Sequence, residues 1–116
     1  MIKNVCLKYP NFKLPFIIIT DASLQGLGAC LSQRDKDGRL RPIAFASRRV
    51  NLAESRKPAV ELETLAILFA LKQYRSIILG YDVELETDHK PLVFLFKQHW
   101  RTGWITNSKK KGLEGK

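Results

Sequence analysis

The stretch Pro15-Phe-Ile-Ile-Ile-Thr-Asp-Ala-Ser-Leu-Gln-Gly-Leu-Gly-Ala-Cys-Leu-Ser-Gln33 decides how the rest of this chain folds. Phe16–Thr20 is a short apolar, β-branched run behind a proline, the pattern of a strand buried on both faces. Gly26 and Gly28 open a second stretch, Gly28–Gln33, in which apolar Ala29 and Leu31 alternate with Cys30 and Ser32. Asp35-Lys-Asp-Gly38 reads as a turn, with Gly38 able to adopt positive φ, and Leu40–Ala46 follows as a third strand. Strands joined by a short polar loop imply an antiparallel hairpin.

Working outward, residues 59–80 predict a helix. Pro58 suits its first turn, Ala59, Leu62, Leu65, Ala66, Phe69 and Leu71 supply good helix formers and an apolar face, and Gly80 is a natural stop. A helix apolar over most of its circumference should lie against a sheet. In Asp82–Thr87, Val83 and Leu85 alternate with Glu84 and Glu86, the signature of a further strand. A strand, a helix and another strand in this order can pair in parallel through a right-handed crossover. The chain therefore predicts an α/β fold with a mixed central sheet, its first three strands antiparallel and its fourth parallel, and flanking helices. Leu92–Phe96, after Pro91, suggests a short helix; beyond Gln98 the pattern dissolves into Trp100, Trp104 and a basic end.

The 116 residues fit one domain, with 45% apolar and 27% charged residues, which excludes a disordered tail as a class. No apolar run approaches the ~18–20 residues that span a bilayer. Lys3, Lys8 and Lys13 interrupt the N-terminus where a signal peptide would need an apolar core, so an intracellular protein, not a secreted one, is expected. Cys6 and Cys30 lack C-x-x-C spacing and are expected to be buried free thiols. The formal net charge is +9. Residues 1–58 carry 11 basic against 4 acidic groups, with Arg34, Lys36, Arg39, Arg41, Arg48, Arg49, Arg56 and Lys57 in one stretch and Lys109–Lys111 as a second cluster. Such an excess favours a polyanion, because Lys and Arg contacts to phosphates release condensed counterions.

Three acids stand out. Asp21 and Asp88 each complete a Thr-Asp pair at the end of a strand, and Glu63 lies near the start of the intervening helix. If the two strands are parallel neighbours, both aspartates stand at the carboxyl edge of the sheet, where open α/β sheets place their sites. Carboxylates crowded to about 4 Å repel by roughly 1 to 4 kcal/mol. A divalent cation removes that penalty, and Mg²⁺ prefers hard oxygen ligands. Taken singly, each acid also fits a cap or turn role. Residue pattern leaves both readings open.

The quoted blocks, however, resemble a family. Pro15–Ser23, Gly26–Ala29 and Leu31–Gln33, followed by Pro42-Ile-Ala-Phe-Ala-Ser-Arg48, Glu61-Leu-Glu-Thr-Leu-Ala-Ile67, Gly80 and Thr87-Asp-His-Lys-Pro-Leu92, are similar in order and spacing to the RNase H-like domain of reverse transcriptases from gypsy-class LTR retrotransposons. The resemblance implies cleavage of the RNA strand of an RNA–DNA hybrid with two Mg²⁺ or Mn²⁺ ions, beside a polymerase domain of a parent polyprotein, in the cytoplasm or a virus-like particle. Asp21, Glu63 and Asp88 would then be catalytic metal ligands. Glu63 is preferred to Glu61 because the family's acid stands three residues before the helix alanine, here Ala66. Ala22, Ser23, Gln25 and Arg48 would touch the nucleic acid, and a nuclease of this kind must read the 2′-OH.

The same resemblance divides the chain into a segment 1–14 that resembles the polymerase connection, with Leu7–Phe12 carrying the likeness, a domain at 15–98, and a non-family, disordered tail at 99–116. The family continues with a further strand and helix and a fourth Asp; after Asp88 this chain has only Glu114 as an acid. The last strand and helix are thus expected to be missing, leaving the strand before Asp88 as an exposed edge. A remnant that binds nucleic acid without turnover is the alternative function. His89 is expected to serve the turn after Asp88, and Trp100 and Trp104 to pack.

Overall fold

The computed structural model describes residues 2–86 and 105–107. Six strands, β1 (Ile2–Cys6), β2 (Phe16–Ala22), β3 (Gly26–Arg34), β4 (Leu40–Arg49), β5 (Val83–Glu86) and β6 (Ile105–Asn107), and two helices, α1 (Leu52–Ser55) and α2 (Ala59–Ile78), make up the described elements. All six strands belong to one sheet in the order β1-β4-β3-β2-β5-β6. β2, β3 and β4 are antiparallel neighbours, and β2 pairs in parallel with β5 across the intervening helix. The mixed α/β sheet read from the sequence is the one observed.

Alternation along β2 settles its two faces. Phe16 and Ile18 belong to the core cluster with Ala66, Ile67, Ala70, Leu71 and Tyr74 of α2, and Val83 and Leu85 join them from the register positions opposite on β5. On β3 the same face carries Leu27, Ala29 and Leu31, all buried. Tyr74 reaches from α2 to donate its hydroxyl to the carbonyl oxygen of Ala29, 3.2 Å away, and burial pushes its phenol pKa up to about 12. The hairpin turn at Asp35–Gly38 holds as expected, with Gly38 at φ 81°, and Gly80 ends the helix region at φ 88°. In β4 the register slips at Leu31/Ser32, so that Pro42, which has no N–H to give, falls beside a bulge.

The sequence reading needs three corrections here. β6 pairs in parallel with β5, Val83 opposite Ile105, so a last strand is present inside the segment expected to be a disordered tail, and β5 is an inner strand rather than an exposed edge. Three residues are too few to show a period, which is why Ile105–Asn107 went unread. Ile2–Cys6, inside the segment resembling a connection, is a strand bonded to β4; all five of its residues are exposed, so no buried alternation marks it. Both cysteines are free as expected, but Cys6 is exposed and Cys30 half-buried. The short helix at Leu92–Phe96 falls outside the described residues, as do Thr87, Asp88, His89, Trp100 and Trp104.

Because Tyr74 fills the space between α2 and β3, its removal should be costly in proportion to volume. Tyr74→Phe is expected to lose about 1 kcal/mol, one hydrogen bond, and Tyr74→Ala about 3–5 kcal/mol. Urea unfolding of the three proteins checks this; equal losses would show that packing contributes nothing beyond the hydroxyl.

Candidate functional site

The end of the sheet at which β2 and β4 finish collects the residues of interest. Gly26 pairs with Arg49 and Ala22 with Leu27, so the carboxyl ends of β2 and β4 share one edge. Asp21 stands one residue before the end of β2. Since Phe16 and Ile18 face α2, alternation turns Asp21 to the other face of the sheet. It is exposed, and among the described residues it makes no ion pair or side-chain hydrogen bond, unlike Asp35, which Arg41 and Arg39 engage, and Glu54, which Arg48 holds.

A groove of about 790 Å³ runs across this edge, lined among others by Asp21, Ser23, Gln25, Gly28, Ser47 and Arg49. Its floor is low because Gly28, directly opposite Asp21, has no side chain; a Cβ there would meet only the Asp21 carbonyl oxygen, at 3.9 Å. Gly26 answers a different need. A Cβ on it would come within 3.1 Å of the Arg48 carbonyl oxygen, so this glycine allows the two strands to close.

Glu63 is an exposed residue of α2. The helix runs inward from the same edge: the Arg48 guanidinium lies 5.9 Å from the ring centre of Phe69, and Tyr74, further along, bonds to Ala29. Glu63, six residues before Phe69, stands about 9 Å closer to the helix start. Asp21 and Glu63 are thus at one edge of the sheet, approached from its two faces. Among the described residues no group of three or more His, Cys, Asp or Glu side chains is poised to hold a metal ion. Asp88, the third acid of the sequence reading, lies outside them.

The residues expected to touch nucleic acid divide into distinct roles. Ser23 organises the β2–β3 turn: its Oγ accepts from the backbone N–H groups of Gln25 and Gly26, both at 3.2 Å. Ala22 is half-buried and packs against the core, whereas Gln25 is exposed on the groove and its carbonyl accepts from Val50 N–H. Arg48 is a clasp. Its two terminal nitrogens donate to the two Glu54 carboxylate oxygens, each at 2.9 Å, and one also donates to the Arg49 carbonyl. Glu54 in turn closes a capping box with Asn51 at the start of α1. Arg48 therefore fastens β4 to α1 and α2, and the groove's cations without an ion pair among the described residues are Lys3 and Arg49. Neither was singled out as a site residue in the sequence; Arg49 stood within the basic stretch, while Lys3 was read only as an interruption of the N-terminal segment.

A model of the RNase H-like domain found in reverse transcriptase matches residues 11–111, nearly the whole chain. The chain belongs to this family. Among curated proteins the domain is 42% identical over 96 residues to the retrovirus-related Pol polyprotein from transposon 412 and 42% over 93 residues to that from transposon gypsy, both of Drosophila melanogaster. These alignments cover 83% and 79% of this chain and 8% of each relative. The Pol polyprotein from transposon 297 is 37% identical over 114 residues, 98% of the chain and 9% of the relative. This RNase H-like domain thus spans less than a tenth of the polyproteins it matches. The family match reaching residue 111 also takes in β6 and much of the segment expected to lie outside the family.

The clasp carries a pH signature. The Arg48 guanidinium, followed by the Asn51 N–H, holds the Glu54 carboxyl at about 2, down from 4.5. A depressed carboxyl pKa contributes stability that is complete above the unfolded value and is lost as pH falls toward the folded one. Thermal melts between pH 5 and pH 2 should therefore show the wild type losing stability more steeply than Glu54→Gln. Parallel curves would show that the Arg48–Glu54 pair adds nothing.

Proposed function

We propose that this RNase H-like domain is a metal-dependent endonuclease that hydrolyses the RNA strand of an RNA–DNA hybrid, working intracellularly, in the cytoplasm or a virus-like particle, beside the polymerase part of a parent polyprotein. The observation that carries this reading is Asp21: an exposed carboxylate without a partner among the described residues, at the carboxyl edge of a central strand, in a groove floored by glycine and flanked by cations. That donor set fits a hard divalent ion.

Asp21, Glu63 and Asp88 would hold the Mg²⁺ or Mn²⁺ ions. When bound, two such ions activate water and stabilise the leaving oxygen of a phosphodiester. The chain's own residues do the remaining work. Gly28 lets the sugar-phosphate backbone approach the sheet, while Lys3 and Arg49 offset phosphate charge. Ser23 fixes the turn that presents Gln25 at the rim, within reach of the sugar edge where the 2′-OH marks RNA. Arg48 acts through the wall it fastens.

One observation favours a second reading, a module that binds hybrids without turnover: Lys3 and Arg49 outnumber Asp21, the carboxylate of the groove. Cleavage of an end-labelled hybrid in Mg²⁺ and then Mn²⁺ separates the two. The nuclease reading expects cleavage by the wild type and a loss of at least a hundredfold in Asp21→Asn, with circular dichroism unchanged. A folded wild type that binds the hybrid and leaves it intact would establish the second reading and overturn the first.

Groove shape gives an independent check. Gly28→Val should fold, since its backbone is extended and its Cβ has room, yet it should weaken hybrid binding at least tenfold by filling the floor. Unchanged affinity in that variant would move the binding surface elsewhere.

A further inference from the structure

Residues 2–6 precede the stretch matched by the family model, yet β1 is bonded into the sheet along its whole length. Its register has a consequence for the groove. Lys3 pairs with Ser47 of β4, Ser47 with Gly28 of β3, and Gly28 with Asp21 of β2. These four residues form one row across four strands, and paired residues present their side chains to the same face. The row therefore begins at a cation and ends at the candidate catalytic carboxylate, with a serine and a glycine between them.

Three interstrand steps of about 4.8 Å put the two ends about 14 Å apart at the backbone. No single phosphate spans that distance. Two backbone segments facing each other across a duplex groove do, and an A-form-like hybrid presents a wide, shallow minor groove with its 2′-hydroxyls between two such segments. Arg49, two residues beyond Ser47 on the same face of β4, stands next to Lys3 on the groove, and Arg48 is removed from this surface by its bidentate bond to Glu54.

We propose that β1 is part of the nucleic-acid surface: Lys3, with Arg49, holds the phosphate backbone of the uncut DNA strand while Asp21 faces the strand that is cut. The inference rests on the hybrid-cleaving reading of the same groove and adds to it a strand outside the matched domain. Lys3 is a positioning residue on this account, because it touches the duplex a groove-width from the reacting phosphate.

Binding of a fluorescein-labelled RNA–DNA hybrid to the full chain, followed by anisotropy in Ca²⁺ over a series of salt concentrations, tests it. Each phosphate contact contributes about 0.9 to the slope of log K against log salt. Lys3→Ala should lower the slope by about that amount and weaken binding about fivefold at 0.15 M salt. Lys3→Arg should restore both. Lys36→Ala, which removes one charge from the turn at the far end of the sheet, should leave the slope at the wild-type value. A Lys3→Ala slope equal to that of the wild type or of Lys36→Ala would overturn the role of β1 while leaving the hybrid reading intact. A wild type that binds no hybrid at any salt would overturn both.

Discussion

One helix has to cover one face of this sheet, and the rest of the structure follows from how it does so. α2 places Ala66, Ile67, Ala70, Leu71 and Tyr74 over Phe16, Ile18, Ala29 and Leu31, and the Tyr74 hydroxyl finds a partner at the contact in the Ala29 carbonyl. Burying that apolar surface is the main favourable term for a domain of this size. It also fixes direction. With the helix bridging the antiparallel unit and β5, the chain returns beside β2 in parallel, and Phe16 and Ile18 come to lie opposite Val83 and Leu85. Once those residues are committed to the helix face, alternation leaves Asp21 no choice but the opposite one.

The second face is organised by what is absent. Gly28 withholds a side chain where Asp21 needs space, Ser47 adds little, and cations stand at the groove's far side. The wall of this groove is stiffened from behind by the Arg48–Glu54 pair, whose geometry is bidentate and whose carboxylate also closes the α1 cap. Bidentate arginine pairs add direction as well as energy. A single ion pair thus joins the last turn of the sheet, a short helix and the face of Phe69, and leaves Arg49 as the neighbouring charge turned to solvent.

Much of this was legible in the sequence, and the unread parts have physical reasons. The run Phe16–Thr20, the Asp35–Gly38 turn, α2 and the alternation of Val83–Glu86 are strong, local patterns, and all four hold. Asp21 was legible as a candidate because a carboxylate ending an apolar strand is conspicuous. β1 was not, since a wholly exposed edge strand bears no burial pattern, and β6 is too short to bear one. α1 carried the Asn51-x-x-Glu54 capping signature, but no apolar run follows it to signal a helix. Arg48 was read as one of a basic stretch and, through the resemblance, as a nucleic-acid contact. Its actual role depends on Glu54 and Phe69, partners that only the folded chain brings together, and the row linking Lys3 to Asp21 depends on register, which composition does not encode.

The central claim is that the Asp21 edge is where this RNase H-like domain holds its metal and its substrate. Paramagnetic broadening by Mn²⁺ in the amide spectrum of ¹⁵N-labelled protein tests it without requiring turnover. The account predicts that substoichiometric Mn²⁺ broadens Asp21, Ala22 and Gly28 first, together with the amides around Glu63, and that Asp21→Asn removes the effect. Broadening centred on the acidic turn Asp35–Asp37 at the opposite end of the sheet, or spread evenly over the exposed acids, would contradict it.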